Sequence, residues 1–179
     1  MSDPISKPTA SSATPSDLLI EQLRESDDDE IALLHAEVFG PGRFARTAFR
    51  LRETAPLLRE HCFCARLDDG LVGAVSISKI SVGDTRLALL GPLAVKTAYR
   101  DAGIGRALLA RATQSVFDAA MPGVLLVGDA PYYAAAGYQP VRPGSIQMPG
   151  PVDPMRLLLA RNPSMGPGAI EGRAEGCSD

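Results

Sequence analysis

The chain of 179 residues has no tryptophan, only two histidines and three cysteines, and few aromatic residues. It also lacks an apolar run of about 18 residues, so no membrane-spanning helix is expected. The N-terminal stretch is polar and has no apolar signal segment, and a cytoplasmic location is expected. Cys62, Cys64 and Cys177 form an odd set without a Cys-x-x-Cys pair. The sequence therefore predicts neither a disulfide framework nor a metal site.

An excess of basic residues is missing as well. The 18 lysines and arginines face 21 acidic residues, which gives a net charge of −3. Nucleic-acid-binding proteins usually carry a basic surplus or stripe, so no nucleic-acid partner is expected. The densest basic group includes Arg43, Arg46 and Arg50, which share one side of a predicted helix. A solvated face is favoured there over contact with the phosphates of a cofactor or substrate.

Composition divides the chain into three parts. Residues 1–17 are rich in Ser, Thr and Pro, and residues 162–179 alternate Gly, Pro, Glu and Ser, so both are predicted to be flexible tails. Residues 18–161 have the apolar and charged content of one globular domain. Hydrophobic periodicity in this domain predicts helices at 28–39, 43–55 and 103–119, and strands at 18–23, 61–67, 71–82, 86–95, 123–127 and 155–160.

The most informative segment runs from Val95 to Leu109, where an apolar strand passes through a glycine-rich turn into an amphipathic helix. A helix N-terminus leaves about four backbone N–H groups without helical partners and attracts anions. Gly103 and Gly105 carry no β-carbon, so phosphate oxygens can approach the backbone. The segment predicts a pyrophosphate cradle, although an ordinary strand-to-helix turn is the alternative.

The spacing separates three kinds of cradle. A P-loop needs Lys-Ser or Lys-Thr after its last glycine, whereas Arg106 follows Gly105. A dinucleotide fingerprint needs glycine or alanine where Leu108 stands. Arg-x-x-Gly-x-Gly, formed by Arg100, Gly103 and Gly105, resembles the coenzyme A pyrophosphate loop of the GNAT acetyltransferase superfamily.

A second segment strengthens this resemblance. After the predicted strand at 123–127, Tyr132 and Tyr133 precede Gly137 and Tyr138, which is similar to the aromatic-Tyr-x-x-x-Gly-Phe/Tyr signature of the superfamily. The resemblance implies an α/β fold with a mixed, mostly antiparallel sheet of about six to seven strands, flanked by helices on both faces. It also implies acetyl-CoA as cosubstrate and a small-molecule or peptide amine as acceptor.

The resemblance further implies where acetyl-CoA binds. The thioester is expected in a notch where the strand through Leu93 splays from the strand at 123–127. Gly91-Pro92 supports this, because proline cannot donate a ladder hydrogen bond and indicates a bulge or an unpaired edge. A backbone N–H near Leu93 is predicted to polarise the thioester carbonyl. The expected cofactor-binding residues are Leu93, Ala94, Val95, Arg100, Asp101, Ala102, Gly103, Ile104, Gly105 and Arg106.

Tyr133 is the predicted catalytic residue, because the resemblance places a tyrosine four residues before the glycine opposite the coenzyme A sulfur. Reference pKa values of about 8.5 for a thiol and about 10 for a phenol make full proton transfer uphill by roughly 2 kcal/mol. Tyr133 is therefore expected either to donate a hydrogen bond to the thiolate or to transfer its proton. Tyr132 is expected to pack or to line the acceptor pocket.

The general base is not evident. An amine acceptor must lose a proton, and relatives often place a glutamate on the strand before the cradle, yet residues 87–95 contain no Asp, Glu or His. His35, His61, Asp84 and Asp129 are the candidates, with capping of the following helix favoured for Asp129. Cys62 and Cys64 are expected to pack, since no triad accompanies them.

These features together predict an N-acetyltransferase that moves the acetyl group directly from acetyl-CoA to an amine in a ternary complex. The alternative is a non-catalytic acyl-CoA sensor or interaction module with the same fold. The acceptor is not evident from the sequence, because function depends on the site and not on the fold. Leu157, Leu158 and Leu159 are expected either in the core or in a strand that pairs across a homodimer.

Overall fold

The computed structural model describes residues 17–40, 47–68, 70–166 and 168–177. In these ranges there are four α-helices: α1 (Asp28–Phe39), α2 (Thr47–Glu53), α3 (Ile104–Asp118) and α4 (Ala130–Tyr133). The strands are β1 (Leu19–Gln22), β2 (Phe63–Leu67), β3 (Gly70–Val82), β4 (Thr85–Val95), β5 (Gly123–Val127), β6 (Gln139–Pro140), β7 (Ile146–Gln147), β8 (Leu157–Arg161) and β9 (Gly172–Gly176). No helix in the described ranges has the length and apolar character needed to cross a bilayer.

Seven strands form the main sheet in the order β1-β2-β3-β4-β5-β8-β6. Neighbours in this sheet are antiparallel except for β4 and β5, which run parallel. The parallel pair arises because α3 connects β4 to β5 as a crossover. The predicted fold, a mixed and mostly antiparallel sheet, is confirmed.

An apolar cluster covers each face of the sheet. Successive side chains of β4 point to opposite faces and therefore belong to different clusters. Ala88 and Leu90 belong to the apolar cluster that includes α3, whereas Leu87 and Leu89 belong to the cluster that includes Leu51 of α2. The helix α3 contributes a stripe of buried residues at helical spacing, namely Ile104, Leu108, Leu109, Ala112 and Val116.

The leucines of β8 lie in this core. Leu157, Leu158 and Leu159 are all buried, and β8 pairs with β5 on one side and with β6 on the other. The core alternative therefore holds for these three leucines.

Cys62 and Cys64 are buried, in agreement with a packing role. The Cys62 thiol donates to the Leu58 carbonyl at 3.2 Å, and burial raises the pKa of Cys62 to about 11. A thiol with this pKa stays protonated at neutral pH and is a poor nucleophile.

The prediction of a flexible C-terminal tail at residues 162–179 is wrong for its described part. Residues 172–176 form β9, which pairs antiparallel with β3 and places Ala174 opposite Val82. Ile170 and Ala174 are buried, and the Arg173 carbonyl accepts the Gly83 N–H at 3.1 Å. Two well-placed apolar residues and a free sheet edge order this segment, although its mean composition is polar. Residues 1–16 and 41–46, with Arg43 and Arg46, lie outside the described residues.

Replacing Ala174 by aspartate is expected to lower the free energy of unfolding by about 2–4 kcal/mol, because a carboxylate would be buried without a partner. The melting temperature should fall by about 5–15 °C in a chain of this length. Ala169→Asp is the matched control, since Ala169 is exposed in the same segment. Equal melting temperatures for the two variants in a thermal unfolding experiment would contradict the packing of β9.

Candidate active site

The site begins where β4 and β5 separate. Of the described residues, only Ala88 with Val124 and Leu89 with Leu125 pair the two strands. Beyond these pairs β4 continues to Val95 and β5 to Val127. A cavity opens between the two ends, as the notch in the sequence interpretation requires.

A bulge at Gly91-Pro92 accompanies the separation. Leu90 pairs with Ile77 and Leu93 with Val75, so two residues of β4 oppose one residue of β3. The Gly91-Pro92 peptide is cis, and Gly91 has φ of +125°, a conformation that favours glycine. Of the two alternatives raised by the proline, the structure contains the bulge.

The cavity has a volume of about 710 Å³, within the usual range for small-ligand sites. The separated strand ends, α4, α1, α2 and the turn before β8 all contribute to its lining. Its lining includes His35, Phe39, Phe49, Arg50, Arg52, Leu90, Gly91, Pro92, Leu93, Asp129, Tyr132, Tyr133, Asp153 and Arg156.

The glycine-rich turn lies at the end of β4 and leads into α3. Asp101 and Gly103 have left-handed φ values of +69° and +76°, and Gly103 is the N-cap. No side chain caps this helix, so its first-turn amides have no side-chain capping partner. Arg100 and Arg106 are exposed beside the turn.

Several predicted cofactor-binding residues have buried side chains. Ile104 and Ala94 are 1% exposed and pack in the core, so only their backbone groups could meet a ligand. Val95 and Ala102 are half-buried. Of the ten predicted cofactor-binding residues, only Leu93 lines the cavity, because the others lie at the cradle or behind the strand.

Tyr132 and Tyr133 face different parts of this region. The Tyr132 hydroxyl lies over the first turn of α3, where a β-carbon on Gly105 would come within 2.5 Å of it. The Tyr133 ring packs against Gly128, which has no room for a β-carbon. The two rings contact each other edge to face, with their centroids 4.9 Å apart.

The environment of Tyr133 keeps its phenol protonated. Burial raises the pKa of Tyr133 to about 12, the neighbouring Tyr132 and Asp129 contribute in the same direction, and Arg156 opposes them. Burial also raises the pKa of Tyr132, against the influence of Arg106. At neutral pH both phenols can therefore donate a hydrogen bond.

The structure divides the four candidates for a general base. His61 accepts or donates a 2.7 Å hydrogen bond with Ser115 and does not line the cavity. Asp84 lies in the turn between β3 and β4 and does not line it either. His35, which is half-buried on α1, and Asp129 do line it.

Asp129 does not cap α4 with its side chain, so that expectation is wrong. Its backbone carbonyl accepts the N–H groups of Tyr132 and Tyr133, whereas its carboxylate forms an ion pair with Arg156 at 3.3 Å. The Arg156 guanidinium competes with the helix amides for the Asp129 carboxylate. This partner could not be predicted, because it lies far from Asp129 in the sequence.

Three kinds of residue were not assigned to the cavity from the sequence. Phe39 and Phe49 supply aromatic walls, and Arg156 supplies a cation from the turn before β8. Arg50 was expected to be solvated; it is exposed but also lines the cavity, as does Arg52. Helical periodicity placed Arg50 on one side with Arg43 and Arg46, but it did not show what that side faces.

Comparisons with known proteins agree with this geometry. Residues 59–140 match the family described as acetyltransferase (GNAT) domain. The fold is similar to a GNAT family N-acetyltransferase (YhbS) from Escherichia coli in complex with CoA, with a TM-score of 0.76, 22% identity and coverage of 92% of this chain and 93% of that one. It is also similar to a GNAT family acetyltransferase from Brucella melitensis in complex with acetyl-CoA, with a TM-score of 0.67, 21% identity and coverage of 90% and 96%.

A third similar structure is Arabidopsis thaliana Naa50 in complex with a bisubstrate analogue, with a TM-score of 0.56, 17% identity and coverage of 80% of this chain and 97% of that one. No curated protein is similar enough in sequence to count as a match. The match at residues 59–140 and the similar folds agree with the resemblance of this chain to the GNAT acetyltransferase superfamily.

Proposed function

We propose that the protein is an N-acetyltransferase that moves the acetyl group from acetyl-CoA directly to an amine in a ternary complex. The observation that carries this proposal is the cavity between the separated ends of β4 and β5, with the Gly91-Pro92 bulge on one side and Tyr133 on the other. Both groups needed for acyl transfer, an amide for the carbonyl oxygen and a donor for the sulfur, can act across one notch.

The cradle fits the phosphates of coenzyme A. Gly103 and Gly105 add no β-carbon at the first turn of α3, where the Tyr132 hydroxyl lies close to Gly105, and the uncapped amides supply donors. Arg100 and Arg106 lie beside the turn as two exposed cations. Bound acetyl-CoA would supply an acetyl thioester, which the strand end at Leu93 would orient in the notch.

The backbone N–H at Leu93 would polarise the thioester carbonyl and hold the oxygen as negative charge develops. Leu93 directly follows the bulge, lies opposite Val75 of β3 and lines the cavity. A preorganised donor of this kind commonly contributes about 10²–10³ in rate.

Tyr133 would donate a hydrogen bond to the leaving thiolate. With the phenol pKa near 12, full proton transfer to a thiol with a reference pKa of about 8.5 is opposed by about 5 kcal/mol. The structure thus favours hydrogen bonding over the other role open to this residue. The thiolate can then take its proton from solvent.

His35 would accept the proton from the attacking amine. It lines the cavity from α1, whereas the Asp129 carboxylate forms an ion pair with Arg156. Histidine is also the side chain whose reference pKa lies nearest neutrality, which suits a general base.

His35→Gln is expected to lower kcat/KM by about 10²-fold, the lower end of the range for a general base. The acceptor amine should have a low pKa, so that the acidic limb of the pH profile reflects ionisation of the enzyme and not of the acceptor. Protonation of the base stops proton removal, so the rate falls as pH decreases in the wild type, and this limb should vanish in His35→Gln.

Asp129→Asn and His61→Gln should retain the limb, provided that circular dichroism shows folded proteins. Loss of the limb in Asp129→Asn alone would assign the base to Asp129 and contradict the proposal for His35.

Two measurements test the function itself. Acetyl-CoA, CoA, ATP and NAD are titrated into the protein by calorimetry, and release of free CoA thiol is followed with a panel of amines. Binding of the two CoA species alone, with amine-dependent thiol release, is the expected result. Binding without transfer would favour the sensor alternative, and no CoA binding would refute both.

A further inference from the structure

The helix α2 brings two arginines to the acceptor side of the cavity. Three arginines and two aspartates line the cavity, which is an excess of one basic residue in a chain whose net charge is −3. Two of the arginines, Arg50 and Arg52, come from the last turn of α2. Local positive charge in an acidic protein indicates an anionic ligand at this place.

Arg52 reaches the point where the acetyl group is expected. Its Nε donates to the Ala48 carbonyl at 3.0 Å, one turn earlier in α2, which orients the guanidinium. Its Nη1 is buried and lies 3.5 Å from the position that a β-carbon on Gly91 would take. The head group of Arg52 therefore lies beside the bulge in β4.

Arg50 stands at the outer rim of the same cavity. Its Nη1 lies 3.7 Å from the position of a β-carbon on Gly150. The Thr47 hydroxyl donates to the Pro151 carbonyl at 2.7 Å and ties α2 to this loop. Arg52 thus lies inside the cavity beside Gly91, and Arg50 lies near its outer edge beside Gly150.

The two aspartates of the cavity are engaged by other groups. Asp129 forms its ion pair with Arg156, and the Asp153 carboxylate accepts the Met155 N–H at 2.9 Å.

The phosphates of coenzyme A do not account for the α2 arginines. The cradle at residues 100–106 contributes no residue to the cavity lining, and it has its own cations, Arg100 and Arg106. The arginines of α2 face the thioester end instead, where the acceptor must enter.

We propose that the acceptor is an amine that also carries a carboxylate, separated from the nitrogen by one or a few carbon atoms. Arg52 and Arg50 bind the carboxylate, and the amine then faces the bulge from the side of His35. This assignment rests on the proposed function. Arginine suits the role because its planar donors match both oxygens of a carboxylate. Polyamines and other polycations would meet like charge on α2.

The test uses matched acceptors in the thiol-release assay. The amino acids, several β- and γ-amino acids and short peptides are each compared with the corresponding amide, which keeps the amine and removes the negative charge. We expect kcat/KM to be about 10–100-fold higher for the acid than for its amide, the effect of losing a hydrogen-bonded charge.

Variants assign the preference to α2. Arg52→Gln and Arg50→Gln should each reduce this ratio at least severalfold, mainly through KM for the acid. Arg142→Gln is the matched control, because Arg142 is exposed, pairs with Glu171 and does not line the cavity. It should keep the wild-type ratio.

Equal kcat/KM for acids and amides, transfer to neutral or polycationic amines only, or transfer to no acid at all would overturn the acceptor assignment. An acid preference that survives both α2 variants would overturn the role of the arginines. Calorimetry with acetyl-CoA separates these failures from that of the proposed function, since the cradle binds coenzyme A whatever the acceptor is.

Discussion

Gly103→Asp is expected to abolish measurable binding of acetyl-CoA, with an affinity at least about 100-fold weaker by calorimetry, since charge-assisted bonds to the phosphates would be replaced by repulsion. Gly103 is the N-cap of α3 and has φ of +76°. Aspartate tolerates this conformation better than most residues and is a favoured N-cap, so the fold should be retained. Its carboxylate would occupy the helix amides that the pyrophosphate needs.

Gly103→Asn is the matched control for this change. Asparagine has the same shape and tolerates left-handed backbone equally well, but it adds no charge. We expect its affinity to remain within about 10-fold of the wild type, because a neutral side chain competes weakly with a phosphate. Wild-type affinity in the folded aspartate variant would show that coenzyme A does not use this helix end.

Tyr133→Phe is expected to reduce kcat by about 10²-fold or more, because the leaving thiolate loses its hydrogen-bond donor in a buried site. The dissociation constant for acetyl-CoA should change little, since the ring still packs on Gly128. Steady-state and single-turnover measurements of thiol release give kcat and the dissociation constant for acetyl-CoA separately.

The pH profile adds an independent check on Tyr133. The donor is lost when the phenol ionises, so this loss should begin only as pH approaches about 12. The wild-type profile should thus show no basic limb from Tyr133 below about pH 11, one pH unit under that pKa.

Tyr138→Phe is the control for removal of a hydroxyl from the same aromatic cluster. The Tyr138 hydroxyl bonds with Thr113 at 2.7 Å and lies outside the cavity lining. Stability should fall by about 1 kcal/mol with kcat near the wild-type value. Similar kcat losses in the two variants would argue that Tyr133 acts through packing alone.

The parts of the site that could be predicted from sequence are those encoded by neighbouring residues. The glycine-rich turn, the Tyr-Tyr helix and the Gly-Pro bulge each need only a few adjacent positions to be recognised. Their physical cause is local backbone geometry, such as the positive φ at Gly103 and Gly91. The strand and helix order followed from the same local periodicity.

The acceptor side could not be predicted because it is assembled by packing across the sheet. His35 and Arg52 come from two helices that meet β4 only in the folded chain. The Asp129 carboxylate forms an ion pair with Arg156, 27 positions later, and does not cap its own helix. The strand β9 was missed because five residues with one buried alanine carry too little periodicity to distinguish a strand from a loop.

The separation of β4 from β5 has a mechanical consequence. The strands β1 to β4 form one leaf of the sheet and β5, β8 and β6 form another, joined in their hydrogen bonding at Ala88 with Val124 and Leu89 with Leu125. Leu93 belongs to the first leaf, and Tyr133 follows the second. The distance between the Leu93 amide and the Tyr133 phenol therefore depends on how these two groups of strands are oriented relative to each other. A core substitution near Ala88 or Leu89 would change this distance without contacting either group.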